Sequence, residues 1–489
     1  MLNALVSLAL LSSAPIDIRD FGAVGDASTI CTKSIQLAVD KAAASGSGVV
    51  LIPAGHYLSG TIHLKSHVEI RLDKDAVLLG SPRRHDYDHG VWYSLLMAAD
   101  VKDIAVTGSG VVDGQGALVA QDVLRLVSIG ELKIPPKGWR PSEVDRPEII
   151  EFTRCHGVRV EGVTLKNSTC WVQTYRNCSE LTIKGIHVDS KTYWNNDGID
   201  VVDCQRVVIS DCDIDSNDDG ICLKSVGPKD ACEDIVVKNC RVRSSASAIK
   251  FGTTSGGGFR RILVRGIQIR NTFRSAVALE SVDGGDLEDV LVENIRAVHT
   301  GNAFFIRLGH RNTKVPPGRV RHVVLRDFDV EVPAGRPDFG YPFHGPQFSE
   351  PHNLAPASIV GHSQAPIEDV TLENIRIRFA GGGTQAIAHV PTTRLGSVPE
   401  RPTDYPEFTM FGELPAWGLY VRHVKDIKFS GLSFTLEASD YRPSVVVDDV
   451  SGIRVSGLSV SGKETRPTVI VRQSSRVRFG AGIQVQRVD

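Results

Sequence analysis

Residues 205–214 read QRVVISDCDI and residues 233–242 read EDIVVKNCRV. Each alternates apolar and polar side chains, turns on Asp or Asn, and resumes with a shorter apolar run. Period-two alternation marks a β-strand with one buried face. The same phrase occurs upstream as HGVRVEGVTL (156–165) and SELTIKGIHV (179–188). It returns downstream as RRILVRGIQI (260–269), EDVLVENIRA (288–297), RHVVLRDFDV (321–330), EDVTLENIRI (368–377), KDIKFSGLSF (425–434) and SGIRVSGLSV (451–460). The endings Leu165, Val188, Ile214, Val242, Ile269 and Ala297 lie 23 to 28 residues apart, the scale of a solenoid repeat.

A β-sandwich also has many short strands, but it joins them by hairpins of varied sequence. Here a whole strand–corner–strand unit recurs, with Val and Ile at matching positions. Such a unit cannot bury its apolar face alone, and stacking it on the next copy builds one continuous core. The expected fold is all-β, a right-handed parallel β-helix (solenoid) of about a dozen coils. Residues 30–45, ICTKSIQLAVDKAAAS, place Ile35, Val39 and Ala42 on one helical face and stop at Gly46, which reads as a short N-terminal capping helix. Three inserts break the period, at about 114–147, 331–365 and 380–420, and are expected to be loops walling a groove.

The 489 residues are 42% hydrophobic and 23% charged with a net charge of −2, which excludes a disordered chain and gives no pull towards nucleic acid. No stretch is long and apolar enough to span a bilayer, so no membrane partner is expected. The first fourteen residues, MLNALVSLALLSSA, read as a signal peptide (1–14) ahead of a single domain (15–489), which implies a secreted or periplasmic protein. The nine cysteines show no zinc spacing and sit in apolar strand contexts, so they are read as core filling.

The stretch 195–225, NNDGIDVVDCQRVVISDCDIDSNDDGICLKS, contains the triplet Asp-Gly-Ile twice. Asp197 and Asp219 are 22 residues apart, about one coil, so stacking should bring them to neighbouring rungs with Asp218 alongside. Alternation then points Ile199, Ile221 and Leu223 inward and Asp200, Cys222 and Lys224 outward. Three crowded carboxylates cannot all ionise freely, which leaves a protonated acid beside ionised bases. Glycoside hydrolysis needs that arrangement. The competing reading is that Asp and Gly only make turns.

These residues resemble glycoside hydrolase family 28, the polygalacturonase family of the pectin-lyase-like β-helix superfamily. The N-terminal run from DFGAVGD through DKDAVLLGS is similar to that family's opening. The family's Asn-Thr-Asp motif appears as Asn195-Asn196-Asp197, and its paired-aspartate motif as Asp218-Asp219-Gly220 running to Lys224-Ser225. The resemblance implies a glycosidase with Asp218 as general acid and Asp197 and Asp219 positioning and deprotonating water, with inversion. It calls for no cofactor and no metal. It implies a polysaccharide or oligosaccharide substrate, pectic and either galacturonic-acid-containing or rhamnogalacturonan-type, and a monomer is expected.

Two family motifs are missing. Ser247 stands where the histidine of Gly-His-Gly would fall, and Ala278 and Glu280 replace the arginine and lysine of Arg-Ile-Lys. Glu280 is therefore expected to repel a carboxylate in that subsite, while Lys224, Lys250, Arg274 and Arg307 fall on or beside outward columns and become candidate substrate contacts. Asn195 and Trp194 complete the candidate binding set, with Trp171, Tyr175 and Tyr193 as further aromatics near the groove. Two rival functions share the fold. One is a lyase holding Ca²⁺ on Asp197, Asp213, Asp215 and Asp219; the other is a carbohydrate-binding β-helix that does not cleave.

Overall fold

Every copy of the repeated phrase turns at its seventh residue through the left-handed region. Gly162, Gly185, Asp211, Asn239, Gly266, Asn294 and Asp327 have φ between 55° and 76°. Gly, Asn and Asp tolerate this conformation best, so the corner residue alternates among these three types. In the computed structural model, which describes residues 14–136, 138, 140–337, 354–464 and 469–488, each corner passes the chain to a second strand and then a third. Strands Gln205–Ser210, Asp213–Ser216 and Ile221–Ser225 make one coil, and Cys232–Lys238, Arg241–Ser244 and Ile249–Ser255 make the next.

Successive coils pair parallel and in register, with Val207 beside Ile235, Ile214 beside Val242 and Leu223 beside Phe251. Coil upon coil, the pairing continues from the N-terminal strands to Val485–Val488, at the ~4.8 Å spacing of paired strands. This is the right-handed parallel β-helix that the repeat predicted. Inward side chains such as Val207, Ile209, Ile214, Ile221 and Leu223 form one continuous core. Each buried aliphatic side chain stabilises by roughly 1.5–3 kcal/mol.

All nine cysteines are free and buried. Cys155, Cys178 and Cys204 each follow a left-handed residue (Arg154, Asn177, Asp203) and fill the same inner corner of successive coils. The capping helix spans Thr32–Ala44 and buries Ile35, Ala38, Val39 and Ala42 over the first coils.

The inserts depart from the expectation of plain loops. Gly116–Ser128 is an α-helix, because Val119, Val123 and Leu126 recur at helical spacing and give it a face to bury. Residues 392–416 fold over the sheet face and pack Leu395, Val398, Phe408, Phe411 and Leu414 on Phe305, Tyr420, Val446 and Ile470 as a second apolar core. Part of the 331–365 insert and residues 1–13 of the expected signal peptide lie outside the described residues. Among the described residues, no helix is long and apolar enough to cross a membrane.

Gly220 fits between rungs only because it lacks a side chain: a Cβ there would stand 2.4 Å from Val242 Cγ1 and 2.7 Å from the Ala248 carbonyl oxygen. Gly220→Ala is expected to lower stability by about 1–3 kcal/mol, the usual cost of overpacking. Denaturant unfolding checks this, and an unchanged midpoint would show that the rungs can separate freely.

Candidate active site

The two Asp-Gly-Ile triplets lie directly on one another. Gly198 N donates to Asp219 O at 2.9 Å and Ile199 N to Gly220 O at 3.0 Å, with Ile199 paired to Ile221. The next rung continues with Gly220 N donating to Ser247 O at 2.8 Å. Asp197 and Asp219 are therefore stacked neighbours and Asp218 stands beside them. One oxygen from each of the three carboxylates lies within 4.8 Å of the others. Both glycines are needed for this approach, since a Cβ on Gly198 would meet the Gly220 carbonyl oxygen at 2.6 Å.

The three acids have different surroundings. Asp219 accepts the backbone N–H of Ser247 at 2.9 Å and faces the Lys250 ammonium at 3.8 Å. Asp218, the most accessible of the three, is oriented by the Asp219 N–H at 2.9 Å and the Asn195 amide at 3.4 Å. Burial and then the neighbouring Asp219 charge raise its pKa, against Arg274 and Lys250. Asp197 is pushed well above the usual carboxylate range by burial, which Lys224 at 3.2 Å only partly offsets. Lys224 is shared with Asp200, whose pKa burial lifts to about 6.

These groups sit in a cavity of about 660 Å³. Trp171 and Trp92 wall one side, their rings 4.3 Å apart, and Trp171 covers the Lys224 ammonium at 3.9 Å. Trp194, Asn195, Arg140 and Glu143 form a second wall. Arg146, wholly buried, fixes that wall by donating to the Trp194 carbonyl at 2.6 Å and the Asn195 side-chain oxygen at 2.8 Å. Tyr405 and Glu407 from the third insert close the side towards the C-terminus, where Arg274 meets Glu407 at 2.9 Å.

Of the expected binding residues, Trp194, Asn195, Lys224 and Arg274 line this cavity alongside the three aspartates, whereas Lys250, Glu280 and Arg307 do not. Arg307 is 1% exposed and donates to the carbonyls of Val360, Gly361, Glu400 and Arg401, so it anchors the third insert instead of facing a sugar. Glu280 is also 1% exposed and lies 3.7 Å from Lys250, beneath the cavity floor; it presents no charge to a bound ligand. Outward alternation was read correctly at these positions, but the insert covers the outward face there. Tyr175 points into the core.

The four acids of the calcium-binding alternative are not gathered. Asp213 pairs with Arg241 at 2.7 Å and Asp215 with Lys191 and Arg243, all on another face of the helix. Asp197, Asp200 and Cys222 do cluster, but the Lys224 ammonium already stands between the two carboxylates as their cation. Trp92, Arg140, Glu143, Tyr405 and Glu407 were missed by sequence reading. They come from segments outside the repeat: the inserts signalled walls at Arg140, Glu143, Tyr405 and Glu407 without singling out these side chains, and Trp92 lies in none of the inserts.

Residues 44–244 match the family model described as glycosyl hydrolases family 28. Over that stretch, about two fifths of its length, the chain is similar to this family. A "Probable polygalacturonase" of Vitis vinifera is 28% identical over 310 residues, covering 59% of this chain and 56% of the relative. An "Exo-poly-alpha-D-galacturonosidase" of Dickeya chrysanthemi is 26% identical over 311 residues, 57% of this chain and 49% of the relative. The chain thus spans about half the length of these relatives. The solved family 28 exopolygalacturonase of Yersinia enterocolitica shares the fold, with a TM-score of 0.67 at 20% identity over 91% of this chain and 79% of that one. The match ends at Ser244, three residues before Ser247.

Because Glu280 is buried against Lys250, Glu280→Lys would set two ammonium groups together in the interior. The expected result is a loss of about 3–5 kcal/mol in unfolding free energy, the cost of breaking a buried pair, and not a change in sugar preference. Chemical denaturation of the variant checks this; full stability would place residue 280 in contact with solvent.

Proposed function

We propose that this protein is a glycoside hydrolase that cleaves pectic polysaccharide, with Asp218 as the acid and Asp219 as the base. The observation that carries the reading is the stacked aspartate trio on the floor of a cavity walled by Trp92, Trp171 and Trp194. Burial and then the adjoining Asp219 charge raise the Asp218 pKa, which suits it to donate a proton to the glycosidic oxygen as the C–O bond breaks. Asp219, which accepts the Ser247 N–H and lies 3.8 Å from the Lys250 ammonium, would take the proton of the water that attacks the anomeric carbon. Asp197 stacks beside Asp219 with one oxygen on Lys224, which places it to help orient that water. The resemblance gave Asp197 and Asp219 the same task; their surroundings divide it between them.

The expected course is inversion. The carboxylate oxygens are closer than the roughly 6.5–9.5 Å that usually separates acid and base in inverting enzymes. Inversion therefore requires the water to sit above the Asp197–Asp219 pair and not between acid and base. The cations lining the cavity already face acids: Lys224 faces Asp197 and Asp200, Arg274 faces Glu407, and Arg140 faces Glu143 at 3.4 Å. This balance favours a rhamnogalacturonan-type or esterified chain over free polygalacturonate.

The groove does not continue along the sheet. On its C-terminal side the outward residues Phe305, Tyr420, Val446 and Ile470 are buried beneath the third insert. A polymer cannot lie across that block, which supports attack at a chain end. A pectic substrate outside the cell agrees with export of the protein.

Incubation with a panel of pectic oligosaccharides tests these assignments. Saturated products are expected with chelator present, released as short sugars from the start, with the anomeric configuration inverted in the first-formed product. Unsaturated products would replace hydrolysis by elimination, and a retained anomer would make one aspartate a nucleophile. Asp218→Asn should lower kcat by roughly 10²–10⁴-fold, the range for losing a general acid. A normal rate in that variant would remove Asp218 from the mechanism. In the wild type, the alkaline limb of the kcat–pH profile should lie above the ordinary carboxylate range, since it reports loss of the Asp218 proton.

A further inference from the structure

Lys250 is 1% exposed and its ammonium makes no hydrogen bond among the described residues, yet it lies 3.8 Å from Asp219 and 3.7 Å from Glu280. Its place follows from the stacking: Lys250 stands in the outward column between Cys222 on the preceding strand and Ala278 on the following one. Both neighbours are small, so the lysine stem has room to lie across the rungs and reach the back of Asp219. The two departures from the family's Arg-Ile-Lys motif then act together. Ala278 leaves the space that Lys250 fills, and Glu280 provides the carboxylate that its ammonium faces.

We propose that Lys250 is a positioning residue for the base: its ammonium, seated between Asp219 and Glu280, fixes the Asp219 carboxylate from behind. The inference rests on the hydrolytic reading of the aspartates and adds the source of the charge that sets the base. Burial opposes the charge on Lys250, but Asp219 and Glu280 outweigh it and hold the ammonium protonated. Burial pushes Glu280 up to about 8, so in acid solution Glu280 is neutral and the lysine charge acts chiefly on the aspartates.

Other charged groups also face Asp219. Asp218 adjoins it on its own segment, and Asp197 and Asp200 lie on the preceding coil, with Lys224 paired to both. Arg274 and Glu280 approach from the coils that follow, and Tyr405 and Glu407 from the third insert. Among these cations, Lys224 faces Asp197 and Asp200, and Arg274 faces Glu407. Lys250 is the cation within 4.0 Å of Asp219.

Removing that charge takes away the positive neighbour of the base, so the acid limb of kcat should move up. In Lys250→Met and Lys250→Gln the acid limb is expected to rise by about one pH unit, the lower end of the effect of an opposite charge within 4–6 Å. At a fixed acidic pH below the limb kcat should fall by up to about tenfold, with KM within threefold of wild type. Lys250→Arg, which keeps the charge, should hold the limb near its wild-type position. A structural role alone would lower stability in all three variants and leave the limb in place, and that result would overturn the proposal. Carbon-13 NMR of the Asp219 carboxyl, assigned with Asp219→Asn, reads the same titration without turnover. An unchanged Asp219 titration in Lys250→Met and Lys250→Gln would overturn the proposal. A wild-type protein that cleaves no pectic substrate, but whose Asp219 titration rises in those variants, would overturn the hydrolase reading alone.

Discussion

The active-site arrangement depends on two hydrogen bonds, Gly198 N to Asp219 O and Ile199 N to Gly220 O, which lock one Asp-Gly-Ile triplet onto the next. Parallel strands in register carry residues of matching number in the repeat to one column, one rung apart. A local feature that occurs twice in sequence thus becomes a pair of side chains in space. Each glycine removes the Cβ that would hold the rungs apart, and the aspartates ahead of them are brought close enough to share a proton economy.

Crowding acids in this way requires compensating charges, and the chain distributes them around the trio. Lys224 stands on the side of Asp197 and Asp200, Lys250 behind Asp219, and Arg274 between the trio and Glu407. Buried ions are costly unless paired, which explains why each of these cations faces a carboxylate. The result is a floor of fixed charges in which Asp218 is the most accessible acid. The third insert completes the cavity and also covers the apolar face that would otherwise extend the groove.

Much of this was legible in the sequence because the repeat has a fixed period. The inward positions, the polar or glycine corners, the cysteine-filled core and the juxtaposition of residues 197, 218 and 219 were all legible in the repeat. The same logic assigned Lys250, Glu280 and Arg307 correctly to outward columns. It failed to say that the column is covered there, because cover comes from residues 395–411, more than eighty positions away from Arg307 and without any repeat to align them. The helix at 116–128 was passed over for a related reason: its apolar spacing lay inside a segment read only as an interruption.

The sequence by itself determined the stacked-strand architecture and the aspartate cluster, since periodic backbone pairing leaves little freedom in where residues one coil apart can go. Only the tertiary structure decided which outward charges line the cavity and which are sealed beneath the insert. That depends on how irregular inserts fold back over the sheet, through Arg307 on the Glu400 and Arg401 carbonyls and Arg274 on Glu407, contacts between segments that share no period.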